Sequence, residues 1–299
     1  MIVDFLISFV LGLIMFTIGS SLKPGEFRAA ARRPNAVVLG LSLQMLFLPL
    51  MTFALVNLTP LSAEFKIGLM ILSFCPGGTT ANLVSYLVKA DVPLSIYLTS
   101  LNSFLILVTV PFFTYLALNY YTGTGDVIHL PVGLTVTKVV FIILLPVLAG
   151  MWVRKQIPNL VIKLQRPLKY TSILLLAAIF TIKFFAPSSQ GGSGIVWSEV
   201  EEILPIAVTM HLLAMVLSYY LAKGMLSNHK ACVTIGIEVG LQNTTLALLI
   251  TSTILGSEEM AKPALVYALF SFFTTFTFAY MTKRFGKIHR LEGMKSSNE

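Results

Sequence analysis

Long apolar runs alternate with short polar connections along the whole chain, and this alternation defines the elements before any single residue is considered. A helix needs about 20 apolar residues to cross about 30 Å of hydrocarbon. Nine such segments can be laid out, at approximately 3–22, 36–57, 66–88, 93–120, 132–153, 170–186, 203–222, 231–255 and 263–282. Two of them are interrupted. The third, "KIGLMILSFCPGGTTANLVSYLVKAD", carries Pro76, Gly77 and Gly78 at its centre. A continuous helix there would lose a hydrogen bond and suffer ring clash and backbone entropy costs. The pattern therefore predicts two half-helices joined by an unwound turn. The eighth, "ACVTIGIEVGLQNTTLALLITSTIL", has no proline but gathers Gly236, Glu238, Gly240, Gln242, Asn243, Thr244 and Thr245, and it too is expected to unwind. Broken backbone at membrane depth requires protein or a polar cavity to satisfy its free groups.

Composition turns the apolar runs into membrane spans. The chain is 56% hydrophobic and 11% charged with a mean hydropathy of +0.84, whereas a soluble domain carries about 25% charged residues. The net charge of +8 is read through topology rather than as a nucleic-acid signal. With the N-terminus outside, 17 of the 21 Lys and Arg residues fall in inner loops or the C-terminus, leaving Lys66, Lys138, Lys183 and Lys262 for the outer half. Lys138 and Lys183 lie near segment ends and are expected to snorkel to the headgroups. The positive-inside rule thus favours N-out, C-in and an odd number of spans. The outer loops collect Asp126, Glu199, Glu201, Glu202, Glu258 and Glu259. The first segment holds Asp4 in place of a basic leader, and its basic cluster follows the apolar run, so it reads as a true span. Ser188 to Glu202 forms the longest polar outer connection, with a Gly/Ser turn. Cys75 and Cys232 lie in apolar segments and read as buried free thiols.

The chemistry concentrates in the interrupted segments. These occupy corresponding places in two halves and run in opposite directions, a pattern that points to an inverted-repeat secondary transporter with its site where the breaks cross. Glu238 is the only acidic residue deep within a span, which marks an ion or proton pathway; a protonated Glu238 hydrogen-bonded between helices is the alternative. Gln242 follows one turn later, and Thr79, Thr80, Asn82, Ser95 and Thr99 supply oxygens in the opposite half. Such oxygens suit a hard cation, and the absence of a His or Cys constellation argues against a transition metal. His211, the only deep histidine, reads as a packed, neutral interhelical residue, and Phe272, Phe273, Phe276 and Phe278 as packing or lipid-facing groups. The basic "TKRFGKIHRLEGMK" near the C-terminus could bind anionic lipid, and most simply it fixes orientation at the inner leaflet. No Walker motif, cofactor fingerprint or nucleophile elbow appears, so enzyme chemistry and primary active transport lack support.

The motifs "FCPGGTTANLVSYLVKADVPLS" (Phe74 to Ser95), "IEVGLQNTTLA" (Ile237 to Ala247) and "GLIMFTIGSSLKPGEF" (Gly12 to Phe27) resemble the bile acid:sodium symporters. The similarity covers nearly the whole chain. It implies an all-α polytopic membrane protein with about nine transmembrane helices, inverted repeats and two crossing broken helices. Residues 1–299 would form one monomeric unit with panel helices at 3–22, 132–153 and 170–186. Its core helices would lie at 36–57, 66–88, 93–120, 203–222, 231–255 and 263–282. Two sodium ions are implied. The first would involve Ala81, Asn82, Ser95, Thr99 and Glu238; the second Gln44, the side chains of Glu238 and Gln242, and the carbonyls of Val239 and Leu241, with a plain helix-to-helix hydrogen bond as the alternative for Gln44. Ala81 departs from the Ser common in the family, so the first site is weaker, uses water or the Ala81 carbonyl, or is absent.

Half-helix ends with free backbone NH groups attract an anion, with Thr79, Thr80 and Asn243 as candidate contacts. In bacterial relatives a His-Asn pair lines the cavity from the last helix, and Thr274 and Thr275 stand there in this chain. The expected function is sodium-coupled symport of an organic anion, bile-salt-like or a small carboxylate such as pantoate, by alternating access in a bacterial inner membrane. A proton-coupled or uncoupled carrier on the same fold is the alternative, and a channel or non-transporting sensor is the alternative from another class.

Overall fold

The computed structural model describes residues 32–123, 145–187 and 190–296, together with Phe9 and residues 12–13, 15–17 and 19–20. In chain order the main helices are α1 (Pro34–Asn57), α2 (Ala63–Ser73), α3 (Thr79–Leu87), α4 (Val92–Thr122), α5 (145–156), α6 (Pro158–Phe185), α7 (Trp197–Met225), α8 (His229–Gly240), α9 (Thr244–Ile254) and α10 (Glu258–Ser296). Among the described residues the only β contact is an isolated antiparallel bridge between Pro76 and Gln242.

Four of these helices are long and apolar enough to cross a membrane: α1, α4, α7 and the Glu258–Thr282 part of α10. Both interrupted segments are split as expected. The third becomes α2 and α3, of 11 and 9 residues, neither long enough to span alone. The eighth becomes α8, of 12 residues, and the shorter apolar helix α9. The expected span at 3–22 falls largely outside the described residues, as does most of 132–153, of which 145–153 lies in α5.

One boundary differs from the apolar pattern. The segment expected at 170–186 belongs to a helix that begins at Pro158, so Lys163, Arg166 and Lys169 sit on helix rather than in a loop. Apolar length marks the part of a helix that meets lipid. Pro158 in the first turn, where its missing NH costs nothing, starts the helix earlier.

Local chemistry ends and starts the helices. The Ser62 side chain accepts from Phe65 NH at the start of α2, and Asn228 accepts from the backbone of Lys230 and Ala231 at the start of α8. Asp91 opens α4 by accepting from Leu94 NH, and it also pairs with Arg33 at 2.6 Å. The Asp91 NH donates in turn to Thr234 Oγ1 on α8 at 2.9 Å. One acidic cap thereby ties the start of α1, the α3–α4 turn and α8 together. Within α1, residues Leu43–Phe47 form a π-helical turn just before Pro49. The proline ring cannot tolerate a regular turn behind it, and a wider turn relieves the clash.

The core divides about the two breaks. One apolar cluster joins α2, α9 and the first half of α7 to α10 around Leu69, Ile71, Leu248, Ile250, Met260 and Leu265. The other joins α1, α3 and α8 around Leu48, Val84, Leu98, Val233 and Ile237. Outward positions are apolar too: Phe104, Val108, Phe112 and Leu116 recur at helical spacing on α4 and are exposed. An apolar outer surface of this kind faces lipid rather than water. Phe273 is exposed like them, whereas Phe272 and Phe278 pack against the second cluster.

Lys183 does not snorkel as expected. It is 2% exposed and forms an ion pair with Glu258, which also accepts from Ser252 Oγ at 2.7 Å. Burial makes a pairing carboxylate cheaper than a path to the headgroups. Lys262 pairs similarly with Glu199 and Glu259, each at 2.6 Å. Glu258→Ala is expected to destabilise the protein by about 2 kcal/mol, because it leaves a buried ammonium unpaired while the lost partner is itself partly solvated. Thermal unfolding in detergent measures this as a lowered midpoint, and an unchanged midpoint would show that the pair contributes nothing.

Candidate functional site

The two breaks meet each other. In a continuous helix the Cys75 carbonyl would accept from the NH four residues on; here it accepts from Asn243 NH at 2.8 Å, across the crossing. Pro76 and Gln242 form the antiparallel bridge beside it. Each unwound segment thus satisfies backbone groups that the other has freed, which is what allows both to sit inside an apolar protein. Gly77 makes the approach possible, since a Cβ there would lie 2.1 Å from the Leu241 carbonyl oxygen. Of the ends that start again, that of α9 is capped locally, Asn243 Oδ1 accepting from Leu246 NH at 3.1 Å, whereas Gly78, which precedes Thr79 at the start of α3, has no side chain to cap it.

Beside the crossing, four predicted residues converge. Ser95 Oγ lies 2.5 Å from Glu238 Oε1 and 2.7 Å from Asn82 Oδ1. Thr99 Oγ1 is 3.1 Å from Asn82 Oδ1 and 3.3 Å from each Glu238 carboxylate oxygen. Ser95 and Thr99 are four apart on α4 and so share a face, while α3 supplies Asn82 and α8 supplies Glu238. Glu238 is 1% exposed, and among the described ion pairs none involves it. Five side-chain oxygens, two of them the buried carboxylate's own, therefore cluster with only two hydroxyl protons between them.

A second group lies one turn along α8. Gln44, in the π-helical turn of α1, donates to Gln242 Oε1 at 3.2 Å, and Gln242 Nε2 donates to the Val239 carbonyl at 2.6 Å. Gln44 Oε1 is buried without a partner. Gln44, Val239, Leu241 and Gln242 are all buried. Ala81 is fully buried next to Asn82, and its methyl group lies 3.4 Å from where a Cβ on Gly77 would stand.

The other candidates fall elsewhere. Thr79 is the first residue of α3, and Thr80 beside it is exposed. Asn243 is half-buried and lies beside Gly78. Thr274 and Thr275 meet His211 rather than the oxygen cluster, at 2.8 Å and 3.4 Å from its Nε2. His211 is fully buried and links α7, α8 and α10, matching its reading as a packed interhelical residue. Tyr267, which also meets it, had no distinguishing signal beyond being a tyrosine in a Phe-rich apolar run. Cys75 and Cys232 are buried free thiols.

Residues 8–190 match the Sodium Bile acid symporter family. A probable chloroplastic sodium/metabolite cotransporter of Oryza sativa subsp. japonica is 27% identical over 86% of this chain, which spans 58% of that protein's length. The uncharacterized sodium-dependent transporter YocS of Bacillus subtilis (strain 168) is 27% identical over 98% of the chain and 87% of its own length. The ileal sodium/bile acid cotransporter of Oryctolagus cuniculus is 24% identical over 88% of the chain and 75% of its own length. These relatives are transporters, not enzymes. An apolar helical chain with two crossed helix breaks, matched over more than half its length, belongs to the Sodium Bile acid symporter family.

Proposed function

We propose that this protein is a symporter that couples sodium to the movement of an organic anion by alternating access. The observation that carries the reading is the excess of acceptors around Glu238. Ser95 and Thr99 can donate one proton each, yet they face three acceptor oxygens, of Glu238 and Asn82. A buried carboxylate with surplus oxygen lone pairs and, among the described residues, no ammonium or guanidinium partner suits a hard monovalent cation. Gln44, Gln242 and the carbonyls of Val239 and Leu241 form the proposed second sodium position, one turn away, where Gln44 Oε1 has no donor. Sodium is cargo here, and its role is to neutralise Glu238 and hold α3, α4 and α8 together.

The antiparallel Pro76–Gln242 bridge supports inverted repeats that cross at the site. In that arrangement nine spans run N-out and C-in through a bacterial inner membrane. Core helices carry the site, and the panel lies at 3–22, 132–153 and 170–186. The N-terminal ends of α3 and α9 lie at the crossing, where their positive dipole ends attract an anionic group; Thr79, Thr80 and Asn243 are its proposed contacts, with Thr274 and Thr275 further along α10. Sodium raises affinity for the anion, and the anion raises affinity for sodium by the same factor.

Uptake of a labelled bile salt and of labelled pantoate into proteoliposomes, with an inward sodium gradient or choline in its place at constant pH, tests the function. Sodium-driven accumulation of either is expected, and equal uptake in choline would contradict it. A smaller experiment examines the first ion position. Ala81→Ser adds the missing hydroxyl beside Asn82 and is expected to lower the sodium concentration for half-maximal uptake by about threefold, a fraction of one hydrogen bond to a charged group. An unchanged sodium dependence would remove residue 81 from the site.

A further inference from the structure

The break in α8 frees three successive carbonyls, and each has a different environment. Val239 O accepts from the Gln242 side chain. Leu241 O faces Gly77 across the crossing. Gly240 O lies between them and would bond the NH of Thr244 in a continuous helix, but that NH donates to Gln242 O at 3.2 Å instead. The Tyr267 hydroxyl of α10 donates to Gly240 O, and His211 Nδ1 of α7 lies 3.0 Å from the same carbonyl and 2.7 Å from the hydroxyl. Both side chains are fully buried.

The protons in this network are determined by its partners. Tyr267 has one proton and gives it to Gly240 O. His211 Nδ1 therefore carries a hydrogen, directed at Tyr267 Oη or Gly240 O, and Nε2 lies 2.8 Å from Thr274 Oγ1, whose own proton also has the Phe270 carbonyl in reach at 3.0 Å. An imidazole protonated on Nδ1 fits these contacts. The packing leaves no slack: the His211 and Tyr267 rings meet edge to face with centroids 5.3 Å apart, and a Cβ on Gly240 would stand 2.8 Å from Met215 Cβ. Gly240 is thus held by α7 and α10, two residues after Glu238 and two before Gln242.

We infer that Tyr267 and His211 are positioning residues for the ion site: by holding the Gly240 carbonyl toward α7 and α10, they keep the flanking carbonyls of Val239 and Leu241, and the side chains of Glu238 and Gln242, in the geometry that binds the cation. The inference rests on the sodium reading above and adds residues that touch neither ion nor anion. Because Thr274 holds the other face of His211, the same contacts make α10 part of the ion site's support.

The experiment is a sodium titration of purified protein in detergent, at constant pH and with choline balancing ionic strength, read as thermal stabilisation. Tyr267→Phe keeps the ring and its packing and removes only the hydroxyl. It is expected to raise the sodium concentration for half-maximal stabilisation by about fivefold, the effect of one ordinary hydrogen bond, while unfolding in choline stays close to wild type. His211→Asn places an amide NH near the Nδ1 position and should bind sodium better than His211→Leu, which has similar bulk and no donor. A merely structural role would lower the choline midpoint of all three variants and leave their sodium half-saturation alike, which would overturn the inference. Wild type and Glu238→Gln run alongside. If wild type responds to sodium, Glu238→Gln does not, and Tyr267→Phe matches wild type, the positioning role fails while the sodium reading stands. If wild type itself gives no sodium response, the sodium reading fails and the positioning role falls with it.

Discussion

Glu238→Ala abolishes sodium-dependent uptake, reducing it at least about a hundredfold, equivalent to about 2.7 kcal/mol of lost ion binding. The expectation follows from position. Glu238 supplies two of the five oxygens in the cluster and its only charge, and it joins α8 to Ser95 and Thr99 of α4. Removing it leaves Asn82, Ser95 and Thr99 as neutral dipoles that satisfy one another, a set too weak to strip water from sodium. The fold survives, because Ser95 and Thr99 keep Asn82 as a partner and a buried charge with no cationic partner among the described residues has been removed. Uptake in proteoliposomes at fixed pH reads the first effect, and gel filtration with thermal unfolding reads the second. Normal sodium-driven uptake by Glu238→Ala would refute the assignment. A proton-coupled carrier would lose its pH-gradient dependence in the same variant and would never have responded to sodium.

Gly77→Ala is expected to be strongly destabilising and to disrupt the crossing itself. Its Cβ would stand 2.1 Å from the Leu241 carbonyl oxygen and 3.2 Å from the carbonyl carbon. Both are backbone atoms, which no rotamer change can move aside. The two unwound segments must separate by about 1 Å to accept it, and that separation breaks the Asn243–Cys75 hydrogen bond and the Pro76–Gln242 bridge. A cost of about 3 kcal/mol follows from overpacking, with a further loss from the buried backbone groups left unpaired. Transport falls to background, and the unfolding midpoint drops by several degrees. Gly224→Ala on α7 is the control, since a Cβ there meets nothing within 4 Å; helix propensity makes that change neutral or mildly stabilising. Transport by Gly77→Ala at the wild-type level would show that the crossing is looser than drawn here.

The sequence made the breaks legible because proline and clustered glycine have only a few structural meanings in an apolar run. It made the oxygen cluster legible because a carboxylate in a membrane span demands partners, and Asn82, Ser95 and Thr99 stood in the other interrupted half and the helix after it. The pairing of Gln44 with Gln242 was likewise implied by the resemblance, and the structure brings these two side chains together. What stayed hidden depends on contacts between distant positions. Lys183 looked like a headgroup lysine because its partner Glu258 lies 75 residues away and hydropathy records no pairing. Tyr267 looked like one more aromatic residue, since its hydroxyl serves a carbonyl that exists only because another helix unwinds. The start of α6 at Pro158 was hidden because Lys163, Arg166 and Lys169 interrupt its apolar run, and apolar length does not see a helix that continues through them.

Equilibrium binding of radioactive sodium to the purified wild-type protein, at constant pH with choline as the balancing cation, tests the central claim most directly. The account predicts saturable binding that unlabelled sodium displaces, that choline and potassium do not displace, and that Glu238→Gln removes. Absence of saturable sodium binding to a folded wild-type protein, or undiminished binding to Glu238→Gln, would contradict it.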